Sequence, residues 1–84
     1  MCIRDSRLLA RAREAGLGTM VGSMMESHVG VATAASMVAA VGTSAVSDLD
    51  AAWWATHSPY AGGPTYGPGV IRLPEAHGLG MALV

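Results

Sequence analysis

The sequence predicts an α/β fold with a parallel sheet. Three observations carry this: an arginine-rich helical segment, two short apolar runs of strand length, and a small-residue helical stretch between the runs. Their order is helix, strand, helix, strand with short turns, the alternation that βα units produce. Both runs are apolar over most of their length, as in a sheet covered on both faces. Two such strands do not make a sheet alone, so the chain reads as a slice of a larger α/β fold.

Residues 7–15 (RLLARAREA) are strong helix formers, with Leu8, Leu9 and Ala12 on one side and arginines on the other. Gly16 and Gly18 supply a helix stop. Residues 19–24 (TMVGSM) form the first strand-length run. Glu26 and Ser27 then stand where an acidic first turn and a hydroxyl cap belong. The helix they open is expected to run to Val41 and end at Gly42, packed closely on something flat. Residues 44–49 (SAVSDL) are the second strand-length run, and residues 51–57 make one or two helical turns. In residues 58–74 (SPYAGGPTYGPGVIRLP) proline and glycine break every regular period. Within that stretch Val70, Ile71 and Leu73 fit a short extended segment, and the closing GLGMALV offers a turn and a last strand. No internal repeat is present. Residues 1–6 (MCIRDS) resemble a translated sequencing-adapter leader and are set apart from the fold.

Composition sets further bounds. The 84 residues are 51% hydrophobic and 13% charged, with a formal charge of −1. That balance excludes the clustered positive charge a nucleic-acid binder needs. All five basic residues are arginines, so no lysine base or Schiff base lies within the segment. Cys2 stands alone, which excludes a disulfide framework, and no Cys/His spacing proposes a zinc site. Residues 29–46 are eighteen residues without a charge, just the length at which a membrane helix is considered. The run lacks Leu, Ile, aromatic residues and flanking cations, so a buried helix leading into a buried strand explains it better. A small membrane-associated helical protein built on that run stays as the alternative from another class.

The best local signal for chemistry is SDLD at residues 47–50. Carboxylates two residues apart on a strand, Asp48 and Asp50, point to the same face. At the C-terminal end of a parallel strand that face opens into a site crevice, where paired acids bind a cation, an ammonium group or a metal. The competing reading has Asp50 capping the short helix and Asp48 solvated beside it. Glu26, Ser23, Met24 and Met25 share the rim; Glu26 reads as an acid in a helix first turn and the methionines as packing. His28, His57 and His77 are dispersed, with no metal or triad spacing. Of Trp53 and Trp54, one ring is expected to be buried and the other to serve packing or an interface.

The order of these pieces is more specific than any one of them. GTMVGSMMESHVGVATAAS, then SDLD, then YAGGPTYGPGVIRLPEAHGLG resembles the C-terminal end of enolase-superfamily proteins, closest to the dipeptide epimerase branch of the muconate-lactonizing (mandelate racemase-like) subgroup. The resemblance runs over nearly all of residues 7–83. It implies the last two βα units of a modified (β/α) TIM-like barrel, with residues 19–25 as the seventh strand and 45–48 as the eighth. Residues 7–58 then belong to the barrel, and residues 59–84 form a tail returning toward an N-terminal capping domain. Pro64 and Pro68 within that tail are tolerated only outside a central strand.

The resemblance also implies chemistry. Such enzymes are Mg²⁺-dependent and move a proton at a carbon adjacent to a carboxylate, using two lysines and three metal-binding carboxylates on strands that precede this segment. The implied activity is epimerisation of a dipeptide, such as the L-Ala-D/L-Glu type, by an isomerase that is cytoplasmic, homo-oligomeric and free of nucleic-acid or membrane partners. A cycloisomerase or dehydratase of the same subgroup is the alternative. This segment then holds no catalytic residue and no metal ligand. It supplies substrate binding: Asp48 and Asp50 for the free α-ammonium of the dipeptide, with Met25 and Ser23 nearby. In the muconate-lactonizing and racemase branches a glutamate is typical at the position of Asp48, so Asp-x-Asp favours the dipeptide branch. GLGMALV also stops where relatives often continue, which points to a clipped C-terminus. As an isolated polypeptide the chain is expected to be inactive. A dipeptide-epimerisation assay with added Mg²⁺ checks this, and turnover by the 84-residue chain would refute it.

Overall fold

The computed structural model describes residues 2–84, and Met1 of the expected leader lies outside them. Helix α1 spans Cys2–Glu14, so it starts five residues before the expected Arg7. No glycine or proline interrupts residues 2–7, and Asp5 in the first turn suits the positive helix end. The helix stops as the glycines predict. Gly16 takes φ +72°, and the Leu17 amide reaches the Ala12 carbonyl at 2.9 Å, closing a Schellman turn. Leu9 and Ala12 are half-buried, whereas Leu8 is exposed.

Helix α2 spans His28–Val41, as expected from its capping residues. The Ser27 hydroxyl accepts from the Gly30 amide at 3.2 Å, and Gly42 ends the helix. From α1 the Arg13 guanidinium donates to the Val41 carbonyl, satisfying one of the orphan acceptors at that end. The small side chains of α2 are what allow its close packing. Val31 and Ala32 are fully buried, and Ala35 nearly so, in a core completed by Leu49 and Ala51.

The two apolar runs lie parallel, joined at a bridge between Gly22 and Asp48. The Asp48 amide donates to the Val21 carbonyl at 2.8 Å, and the Ser23 amide to the Asp48 carbonyl at 2.7 Å. One step back, the Ala45 amide donates to the Thr19 carbonyl. Three residues of the second run therefore match two of the first, leaving one extra. The Val21 amide that this leaves without a ladder partner donates to the Ser47 hydroxyl at 3.3 Å. Parallel pairing is thus as the alternation predicts, but the covering of both faces is not. Met20, Met24, Met25 and Val46 are exposed, because no further strand among the described residues flanks the pair.

Beyond Asp50 the βα alternation stops. A 3₁₀ helix spans Ala51–Trp54, within the one or two turns expected. Four three-residue strands follow: β1 (Tyr60–Gly62), β2 (Thr65–Gly67), β3 (Val70–Arg72) and β4 (Met81–Leu83). The expected extended segment at Val70 and Ile71 is β3, and the expected last strand is β4. Strands β1 and β2 carry no periodic signal, each ending in glycine and flanked by proline. They pair antiparallel as β1 with β4 and β2 with β3. Pro68 and Gly69 make the two-residue turn between β2 and β3, and Pro64 lies between β1 and β2, so neither proline interrupts a ladder. At Gly62 the chain passes so near the Gly80 carbonyl that a Cβ would overlap it.

The radius of gyration is 13.1 Å, above the value of about 12 Å usual for a chain of this length, and the long dimension is 42 Å. The core is correspondingly thin. Leu49→Ala, at a residue 6% exposed, is expected to lower unfolding stability by about 2–3 kcal/mol in urea titration. Leu8→Ala, at a residue 68% exposed, is expected to cost under about 0.5 kcal/mol in the same measurement.

Candidate substrate-binding site

Exposure alternates along the DLD triplet, although only Asp48 is bridged as strand and Asp50 has helical backbone angles. Leu49 is buried, while Asp48 and Asp50 on either side of it are exposed. The backbone between them is held at three points. The Asp48 carbonyl accepts from both the amide and the hydroxyl of Ser23, at 2.7 and 3.2 Å. The Ser23 hydroxyl in turn accepts from the Ala51 amide at 3.2 Å. From β2, the Tyr66 hydroxyl donates to the Leu49 carbonyl at 2.7 Å. A cavity of about 740 Å³ borders this segment, lined by Asp48, Leu49, Asp50, Trp53, Tyr66 and Val70 among others.

Asp50 does not cap the short helix. It occupies the N-cap position with helical backbone angles and makes no side-chain cap bond. Its Oδ2 instead accepts from the Trp54 indole Nε1 at 2.8 Å, one turn further along. Neither tryptophan is buried, contrary to expectation: Trp53 and Trp54 are both exposed and meet each other edge to face, centroids 5.2 Å apart. Nothing else among the described residues covers them, so each ring finds its neighbour.

The other expected site residues are dispersed. The Ser23 hydroxyl is fully engaged in the backbone joint just described, and Ser23 also lines a second cavity of about 240 Å³ with Glu26 and Asp5. Met25 is 92% exposed and lines neither cavity. Glu26 folds its carboxylate over Gly30 in the first turn of α2, where a negative charge faces the positive helix end. His28 donates from Nε2 to the Pro64 carbonyl at 3.0 Å, since a carbonyl only accepts, and so ties α2 to the buried Gly63–Pro64 corner. His57 and His77 are exposed loop residues.

Tyr66 is the residue that sequence reading passed over. It lies seventeen residues from Leu49, and only a fold that returns β2 to the DLD segment brings the two together. Burial pushes its phenol above the ordinary value. The Ala52 amide opposes this, the negative charge of Asp50 adds to it, and the Trp53 amide opposes it again.

Among the described residues no group of three or more His, Cys, Asp or Glu is placed to hold a metal ion. The residues present here therefore do not fit the Mg²⁺ that the resemblance implies. What the arrangement offers is cation recognition: two exposed carboxylates lining one cavity, with acceptor oxygens for an ammonium group.

Comparison with known proteins bears on that offer. No family model matches the chain. It is 32% identical over 77 residues to an aromatic dipeptide epimerase of Herpetosiphon aurantiacus, covering 92% of this chain. A crystal structure of a mandelate racemase/muconate lactonizing enzyme from Roseiflexus sp. superposes with a TM-score of 0.82 at 36% identity, over 89% of this chain. The chain is similar, over nearly its whole length, to a segment of each of these enzymes. It spans only 22% of the length of each of these two relatives. Both relatives carry the names of racemising, epimerising or lactonizing enzymes. The chain itself is a small α/β unit of two helices and a few short strands. No helix among the described residues is long and apolar enough to cross a membrane, so the alternative built on residues 29–46 lacks its span.

Tyr66→Phe leaves the Leu49 carbonyl without its donor and is expected to cost about 1 kcal/mol at neutral pH. The raised phenol favours the protonated folded form. Its contribution is complete below the unfolded value of 10.0 and is lost as pH rises through the folded value. Thermal melts from pH 8 to 12 are expected to show a steeper alkaline decline for wild type than for Tyr66→Phe.

Proposed function

We propose that this chain supplies the substrate-ammonium site of a dipeptide epimerase. The enzyme would invert the carbon next to the terminal carboxylate of a dipeptide whose amino end is free. The observation that carries the reading is the outward pairing of Asp48 and Asp50 around buried Leu49, on a segment pinned by Ser23 and Tyr66. A strand end fixed in this way holds the backbone that carries the two carboxylates before the ligand arrives, so less ordering accompanies binding. An ammonium group leaving water needs several acceptors, and two anionic side chains satisfy it better than neutral ones. The likeness to an aromatic dipeptide epimerase supports the same substrate class.

The proposal assigns this chain binding and no proton transfer. With no lysine in the sequence, the acid–base pair belongs to other parts of the enzyme, as do Mg²⁺ and its ligands. Residues 19–25 and 45–48 would be the last two strands of its barrel, with residues 59–84 turned toward a capping domain. We place Asp48 and Asp50 at the ammonium. Ser23 acts through the backbone it holds, and Met25 would stand on the same rim.

The test uses the enzyme that carries this segment. Asp48→Asn and Asp50→Asn, singly and together, are expected to raise KM about tenfold or more for dipeptides with a free amino end. N-acetylated dipeptides, poor substrates to begin with, are expected to change little. Unaltered kcat/KM on free dipeptides in the double variant would overturn the reading.

A further inference from the structure

Resting on the ammonium-site reading, we infer that Trp54 is the positioning residue for Asp50. The Trp54 indole has a donor and no acceptor, and that donor is spent on Asp50 Oδ2 at 2.8 Å. A carboxylate on a short side chain otherwise turns freely about its last bond. Tethering one oxygen fixes the plane of the group and directs the other oxygen, Oδ1, toward an incoming donor. The tether is local, from residue 50 to residue 54 across the 3₁₀ helix, so the backbone that sets Asp50 also sets its anchor. Trp53 braces the anchor, meeting the Trp54 ring edge to face with 84° between planes.

Tyr66 completes the arrangement from β2. Its hydroxyl fixes the Leu49 carbonyl, and hence the peptide that leads into Asp50. Asp50 is thus held through its backbone by β2 and through its side chain by the short helix. No such side-chain bond is found for Asp48 among the described residues, so the two carboxylates divide the work. Asp50 gives a fixed acceptor, and Asp48 adjusts to the ligand. A bond of this kind acts on the bound ammonium and leaves the proton-transfer step alone, so its loss falls on KM.

The experiment uses the enzyme carrying this segment and steady-state kinetics on a free dipeptide and its N-acetyl form. Trp54→Phe, which keeps an aromatic ring and removes the donor, is expected to raise KM for the free dipeptide about tenfold with kcat within about twofold. Trp54→His, which restores a ring N–H, is expected to recover part of that loss. Should Trp54→Phe melt early, the wild-type Trp54 indole proton in a ¹⁵N-resolved spectrum replaces it, and this signal is expected to move upfield in Asp50→Asn. An unchanged KM in folded Trp54→Phe, beside a raised KM in Asp50→Asn, would overturn the positioning role and leave the ammonium site standing. An unchanged indole signal in Asp50→Asn would likewise overturn it. Unchanged KM in both Asp variants would overturn the ammonium site and this inference with it.

Discussion

Much of this molecule hangs on the carbonyl oxygen of Asp48. It receives two bonds from Ser23, one from the amide and one from the hydroxyl, and that hydroxyl goes on to receive the Ala51 amide. Two strand ends and the start of a helix therefore meet at one residue. The pair of parallel segments has few ladder bonds of its own, and parallel pairing is the weaker kind per residue. Hydroxyl side chains make up the shortage: Ser44 and Thr19 exchange bonds at one end, Ser47 serves the Val21 amide in the middle, and Ser23 closes the other end. Without these contacts the DLD triplet has no fixed base from which to present its carboxylates.

Much of this was legible in the residues, and where it was not the cause is physical. Helix stops at Gly16 and Gly42 and the cap at Ser27 follow from backbone chemistry within a few residues, which a sequence displays directly. The alternation of Asp48, Leu49 and Asp50 is equally local. Strands β1 and β2 were not legible. Tyr-Ala-Gly and Thr-Tyr-Gly carry no periodic signal, and each gains its structure from a partner strand: β4, some twenty residues away, for β1, and β3 across a two-residue turn for β2. The Tyr66 bond to Leu49 is non-local too. Trp54 was visible as a residue, but its bond to Asp50 depends on a 3₁₀ turn that sequence alone did not distinguish from a capped helix.

The superfamily likeness and the exposed apolar side chains describe one condition from two directions. Met24, Met25, Val46 and both tryptophans are the kind of residues that α/β proteins enclose between layers, and here they face outward. The matched relatives are several times longer than this chain. Small residues along α2 let the helix lie close on the two segments, where Val21 and Leu49 meet Val31 and Ala35.

The single extra residue between Ala45 and Asp48 has a consequence for how such a segment tolerates change. Strand side chains alternate strictly, so that residue sets the phase of everything after it. Removing one position there would exchange the roles of neighbours, turning Leu49 toward solvent and sending the two carboxylates inward. Just before it, Ser44 is itself fixed, exchanging hydrogen bonds with Thr19. The strand phase at the DLD triplet therefore rests on a serine hydroxyl that stands in for a peptide carbonyl.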